Sequence, residues 1–348
     1  YLGFARGVLR LRPRPLAEVT PLETGTLAHA ALDEFFRRPP VISSVDIVTT
    51  LAEVFEGLRG RPEFRAFAVD RASEYRWDST RRSLERFLRV EAARLQGSAY
   101  QPVALEAGFN SRIGNAVAIP LEGERTLLLA GRIDRIDTRM RGEDTLAVVI
   151  DYKRSARGGV PKDVARGLDL QLVGYLLFTR QEMNWMPVGG LYLPVLPSPV
   201  AQEKLRRGEP NSLGIRAAGL FLAQERDLLD GGVGLLVKPS AQTGQALANQ
   251  GALDAVVEKG RSFLASYAAS LLTGWIPARP LELKPGQLPC DNCDFGALCR
   301  FRADRDPVRR EPVEGMPVPP VPTELPGPTE LPVPTELPGP TELPGPTE

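Results

Sequence analysis

Apolar residues recur at helical spacing in two early stretches, 26–36 and 79–95. In the second, Leu84, Phe87, Leu88 and Leu95 share one face with arginines opposite. The pattern then changes to short apolar runs bounded by glycine and charge, which predicts strands at 103–109, 116–120, 126–137 and 146–153. A helix over 164–180, a strand over 188–195 and a helix over 251–272 follow. Residues 197–232 are polar and contain proline and glycine, and no element is assigned to them. Helices, then strands, then mixed elements predict an α/β domain with no boundary inside 1–305. From 306 onward Pro-Thr-Glu recurs every six residues, placing Glu324, Glu330, Glu336, Glu342 and Glu348 in register among fourteen of the chain's 33 prolines. Such a segment has too little apolar surface to offset its ordering entropy, so 306–348 reads as an extended, disordered tail. An inert spacer and a docking site for a proline-binding partner both fit that composition.

A 348-residue chain with 43% hydrophobic content can bury a sizeable core, which excludes disorder throughout. No apolar run approaches the ~18 residues of a membrane span, and Arg6, Arg10, Arg12 and Arg14 occupy the place of a signal-peptide core. A soluble, cytoplasmic protein is expected, with no membrane partner. A start at Tyr1 instead of Met suggests a piece of a longer polypeptide. The 43 basic and 43 acidic residues cancel, yet the tail carries a net −6 and residues 1–305 a net +6. That sign suits a polyanion and is equally common in proteins that never touch one.

The segment richest in chemistry is Leu146-Ala147-Val148-Val149-Ile150, which runs straight into Asp151-Tyr152-Lys153. An unbroken apolar run suits a strand covered on both faces, and alternation puts Asp151 and Lys153 on one side of it. Only six of the 43 basic residues are lysine. A surface ion pair at a strand end would produce the same pattern. The preceding strand contains Gly131-Arg132-Ile133-Asp134-Arg135-Ile136-Asp137. If the two strands are neighbours, Asp134 and Asp151 meet, and converging carboxylates raise each other's pKa unless a cation lies between them. Oxygen ligands of this kind suit Mg²⁺ or Mn²⁺; a charged hairpin is the plain alternative. His29, the one histidine, sits in Gly25-Thr26-Leu27-Ala28-His29 at the start of a helix. Gln171 and Tyr175 are one helical turn apart, so their polar ends align while Leu172 and Leu176 pack elsewhere.

The order G-T-x-x-H, G-R-I-D, an apolar strand ending D-x-K, then Q-x-x-x-Y resembles the RecB-type nucleases of the PD-(D/E)xK superfamily. The signature runs from His29 to Tyr175, and the wider layout is similar from Tyr1 to about Arg302. The resemblance implies a restriction-endonuclease-like central mixed sheet flanked by helices, with an N-terminal helical part and a divalent-metal site that hydrolyses DNA phosphodiesters. It implies that His29, Asp134 and Asp151 hold Mg²⁺ or Mn²⁺ with the backbone carbonyl of Tyr152. It implies that Lys153 orients or activates the attacking water, while Gln171 and Tyr175 support the site and contact DNA. Glu106, in Leu105-Glu106-Ala107-Gly108-Phe109, matches a glutamate often present before the first motif strand.

All three cysteines, Cys290, Cys293 and Cys299, fall within ten residues. That clustering favours a soft-metal site over three buried thiols. Their C-x2-C-x5-C spacing resembles the [4Fe–4S] staple of AddB-type subunits of bacterial helicase–nucleases. The resemblance implies a fourth cysteine upstream of Tyr1, absent from this chain; zinc on three cysteines is the competing reading. It further implies a deoxyribonuclease, of exonuclease type, acting in double-strand-break repair and recombination on DNA delivered by a helicase subunit or region. No G-x-x-x-x-G-K-[ST] loop occurs, so no ATP site is expected here. A stand-alone RecB-type nuclease of CRISPR adaptation or repair, and a non-catalytic DNA-binding scaffold with the nuclease fold, are the alternatives.

Overall fold

Thr20 opens the first helix, α1 (Pro21–Phe36). Its side chain accepts from the Glu23 N–H, the Glu23 side chain accepts from the Thr20 N–H, and Pro21 occupies a first turn that needs no donor. This cap starts the helix earlier than its apolar periodicity predicts, so His29 lies in mid-helix instead of at the start. The structure, a computed structural model, describes residues 19–38, 44–155, 160–196, 215–236, 245–274, 277–282, 286–293 and 295–310. The expected tail beyond 310, the segment before 19 and the first half of the unassigned stretch, 197–214, lie outside the described residues.

Helices α2 (Ser44–Arg59) and α3 (Arg71–Gly97) complete an N-terminal helical layer. Asp70 caps α3 by accepting from the Ser73 N–H at 2.7 Å. Trp77 of α3 sits edge-on to Phe55 of α2 and near Phe64 and Phe67 of the 3-10 turn between them, which locks the layer together. Leu84, Phe87 and Leu88 are buried as expected, but Arg94 on the same helix is buried too.

Strands β1 (Gln101–Phe109), β2 (Val117–Pro120), β3 (Thr126–Leu129), β4 (Gly131–Arg141) and β5 (Asp144–Lys153) follow. After them come α4 (Val160–Ala165), α5 (Gln171–Gln181), β6 (Met186–Pro194), β7 (Ala218–Leu222), α6 (Arg226–Asp230), β8 (Ala246–Leu247), α7 (Gln250–Leu272) and α8 (Gly296–Cys299). The main sheet is mixed, in the order β1-β4-β5-β6-β7-β8. Its β5–β6 and β7–β8 pairs are parallel, and the others antiparallel. The β5–β6 crossover carries α4 and α5, the connection a parallel pair requires. β5 is central and buried from Leu146 to Tyr152, which accounts for its unbroken apolar run.

Three boundaries differ from the apolar pattern. The stretch 126–137 is two strands: β3 pairs with β2 in a separate hairpin, and β4 enters the main sheet. The change of sheet falls at Gly131, where a Cβ would lie 2.7 Å from the Phe109 ring, itself stacked on Phe178 at 4.6 Å. The stretch 164–180 is also two elements, because Gly167 and Asp169 adopt left-handed φ values of 72° and 49° that end α4 and redirect the chain into α5. Finally, β7 and α6 lie within the unassigned stretch. At the far end, the Arg309 N–H donates to Pro280 O and Arg309 O accepts from Glu282 N–H, and Arg310 pairs with Glu282. No described helix is long and apolar enough to cross a membrane.

Candidate active site

Sheet register draws the candidate residues into one row. Leu105 pairs with Arg135 and Ala107 with Ile133, leaving Glu106 across from Asp134. Arg135 pairs with Ile150, so the next residues outward, Asp134 and Asp151, stand across from each other on β4 and β5. Asp151 in turn pairs with Tyr192 on β6. Residues aligned across strands project to the same face, so Glu106, Asp134, Asp151 and Tyr192 form a line over four adjacent strands.

Helix α1 brings His29 to this row, with Nδ1 3.1 Å from Asp134 Oδ1. The other Asp134 oxygen accepts from the Tyr152 N–H at 2.6 Å, so Asp134 is fixed from two sides. Among the described residues, His29, Glu106 and Asp134 are the one set of three metal-binding side chains whose donor atoms all lie within 4.8 Å of one another. Glu106 reaches this position from a backbone φ of 47°, the left-handed region that costs a residue with a side chain and that recurs at functional sites. Lys153 makes an ion pair with Asp151 Oδ2 and donates to Gln171 Oε1 at 2.8 Å. Gln171 Nε2 donates to the Tyr175 hydroxyl, also at 2.8 Å. Leu172 and Leu176 are buried on the other side of α5, as their spacing predicts.

Asp151 is only 2% exposed, which sets it apart from a surface ion pair at a strand end. Its Oδ2 is buried against the Lys153 ammonium. Burial, and then the charge of Asp134, push its pKa up to about 6, with Lys153 pulling the other way. Burial and Asp134 also raise Glu106. Burial alone would lower the His29 imidazole, but the hydrogen bond and charge of Asp134 prevail and hold its pKa above the ordinary value. Two cations face the three carboxylates: Lys153 against Asp151 and Arg132 at 3.2 Å from Glu106. Two carboxylates and an imidazole, with Asp151 on the next strand, make a donor set that fits a hard divalent cation of the Mg²⁺ or Mn²⁺ kind.

Behind the row lies a network that nothing in the sequence pattern announces. Arg135 follows Asp134 on β4 and projects to the opposite face. Fully buried, it donates to the Tyr152 hydroxyl at 2.9 Å and to Asp137 Oδ2 at 2.9 Å, contacts Glu91, and lies over the Phe36 ring at 4.7 Å. Arg94 donates to Glu91 at 2.8 Å and to Asp137 at 2.7 Å. Burial would raise the Glu91 carboxyl, but the two guanidiniums hold it down to about 2. Tyr152 links this network to the site: its ring meets the His29 ring edge-on at 6.1 Å while its N–H holds Asp134.

The cysteines occupy a short turn and one helical turn. The Cys293 N–H donates to Cys290 O at 3.1 Å, and the Cys299 N–H to Phe295 O at 2.8 Å. All three are half-buried thiols, and their sulfurs are not all within 4.8 Å of one another. Sequence reasoning missed Tyr192 and the turn residue Asp169; the one available signal was a lone tyrosine in the apolar strand Gly189-Gly190-Leu191-Tyr192-Leu193.

The curated proteins similar to this chain include three that carry the same description, the B subunit of an ATP-dependent helicase/deoxyribonuclease. The protein from Desulforudis audaxviator is 29% identical over 338 residues, covering 86% of this chain and 28% of the relative. Those from Clostridium acetobutylicum and Symbiobacterium thermophilum are 25% and 27% identical, covering 84% and 92% of this chain. The chain thus spans 28% to 30% of the length of these relatives. A family model described as the PD-(D/E)XK nuclease superfamily matches residues 3–300. That match takes in every element from α1 to α8, including all those that form the row, and the chain therefore belongs to the PD-(D/E)XK nuclease superfamily.

Proposed function

We propose that this chain is a divalent-metal-dependent deoxyribonuclease of exonuclease type. The observation that carries this reading is the row of half-buried Glu106 and buried Asp134 and Asp151, with His29 bonded to Asp134 and Lys153 against Asp151. His29, Glu106, Asp134 and Asp151, with the Tyr152 carbonyl, would hold Mg²⁺ or Mn²⁺. Bound there, the cation lowers the pKa of water and neutralises charge building on the phosphoryl oxygens. Lys153 orients the attacking water and stabilises negative charge beside Asp151. Gln171 receives the lysine and is held by the buried Tyr175, so α5 sets the reach of the ammonium, and the exposed Gln171 is the side chain available to the DNA backbone.

The relatives' names couple deoxyribonuclease to helicase. By that likeness the chain works beside a helicase subunit or region, processing DNA ends in repair and recombination. The three thiols are assigned to a [4Fe–4S] cluster, which takes one ligand more than they supply.

End-labelled linear DNA with Mg²⁺ tests the reaction. The protein is expected to release short products from ends and to leave closed circular DNA intact. Asp134→Asn is expected to lose more activity than the ~10–100-fold that removing an outer-shell partner of a metal costs. Near-normal cleavage by that variant would refute the assignment. Metal analysis of the full-length protein tests the thiols separately. Bound iron and sulfide, with a brown colour lost in Cys293→Ala, is the expected result, and stoichiometric zinc without iron would overturn it.

A further inference from the structure

We propose that Tyr192 is a positioning residue for Lys153, acting through its ring face and through its hydroxyl's hold on the turn that delivers Gln171. The proposal rests on the nuclease reading for what Lys153 does, and on geometry alone for where Lys153 is held.

Tyr192 is 1% exposed and is the register partner of Asp151, so it extends the row of acidic residues by one strand. The Lys153 ammonium lies 4.9 Å from the centroid of its ring, within the ~6 Å over which a cation is attracted to an aromatic face. The Tyr192 hydroxyl donates to Asp169 Oδ1 at 2.6 Å. Asp169 holds a left-handed φ of 49° and stands two residues before Gln171, the first residue of α5. No side chain caps this end of α5, so fixing Asp169 helps decide where Gln171 begins. Gln171 then accepts from Lys153 at 2.8 Å. The contacts close a ring: aromatic face, ammonium, amide, turn, carboxylate, hydroxyl.

A lysine needs such a frame because its ammonium is a point charge on four rotatable bonds, and an ion pair with Asp151 fixes only its distance from one atom. With the ring on one side and the Gln171 oxygen on another, the nitrogen is confined in direction as well. A tyrosine that only filled the core would need some partner for its hydroxyl; it would not need one on the turn that also supplies the lysine's acceptor.

Three measurements on the full chain decide the matter. In metal-free protein, peptide-resolved acylation of the six lysines should show Lys153 labelled about fivefold faster in Tyr192→Leu, the scale of one lost cation–π contact, with the other lysines unchanged. In Mg²⁺-dependent cleavage the same variant should lose about ten- to a hundredfold in kcat, the cost of a small misplacement, with KM for DNA unchanged. Mn²⁺ affinity, read by electron paramagnetic resonance titration, should also be unchanged. Tyr192→Phe keeps the ring but releases Asp169, so it should keep slow Lys153 labelling and lose part of kcat, less than the leucine variant, and it provides the folded comparison if the leucine variant melts early. Unaltered Lys153 labelling overturns the proposal, as does a parallel loss of kcat and Mn²⁺ affinity. A wild-type protein that neither cleaves DNA nor binds Mn²⁺ sinks the nuclease reading instead, and the labelling result still decides where Lys153 is held.

Discussion

Replacing Asp151 by asparagine is expected to silence Mg²⁺-dependent cleavage and, in metal-free buffer near neutral pH, to raise the melting temperature. Both effects come from one carboxylate, 2% exposed, whose pKa is pushed up to about 6 by burial and by Asp134. The folded-state pKa lies above the unfolded one, so the folded chain prefers the protonated acid. Its contribution to stability is fully present below the unfolded value near ~4 and is lost as pH rises through about 6. At neutral pH the ionised group therefore costs on the order of 2–3 kcal/mol. Asparagine copies the neutral acid and keeps an oxygen that can accept from Lys153, which Gln171 and the Tyr192 ring also hold. The gain in melting temperature should be largest above pH ~7 and fade as pH falls toward ~4. Adding Mg²⁺ should stabilise the wild type and leave the variant nearly unmoved. Calorimetry in chelator over that pH range is the measurement. A variant melting below the wild type at neutral pH would show that the carboxylate is not held against its preference.

The buried charges behind the site should give the largest loss of stability. Arg135→Met leaves Glu91 and Asp137 sharing Arg94 alone, an uncompensated negative charge among fully buried groups. Breaking a buried ion pair from one side costs about 3–5 kcal/mol, whereas replacing both partners by apolar groups is often close to neutral. Arg135→Met combined with Glu91→Leu restores the balance as Arg94 with Asp137, and should recover part of that loss. Urea unfolding of the single and double variants checks this, and a double variant no more stable than the single would mean that charge imbalance is not the cause. Acid acts on the same network. The Glu91 pKa is depressed to about 2, so its stabilisation is present above ~4.5 and drains away as pH falls toward that lower value.

What was legible in the sequence follows from this architecture. Asp151 and Lys153 stand out because β5 is covered on both faces, so an acid and a base end an otherwise apolar run. Gln171 and Tyr175 are readable because helical spacing alone brings them together. Glu106 is suggested only by resemblance, since its approach to Asp134 depends on strand register and a left-handed backbone, neither of which periodicity encodes. Glu91 and Arg94 look like an ordinary pair on a solvated helix face; only the docking of α3 against β4 buries them. The expected helix over 164–180 fails for a related reason. Its apolar spacing continues across Gly167 and Asp169, although the backbone there turns aside. His29 reads as a helix start because the cap at Thr20 and Glu23 carries no apolar signal.

The bridge between Leu281 and Arg309 bears on how the protein should be trimmed for laboratory use. The shift in composition invites a cut near 305, just short of the residue that stitches the closing segment back onto 279–282. A recombinant version ending after Arg310 keeps that stitch and still sheds the Pro-Thr-Glu repeats.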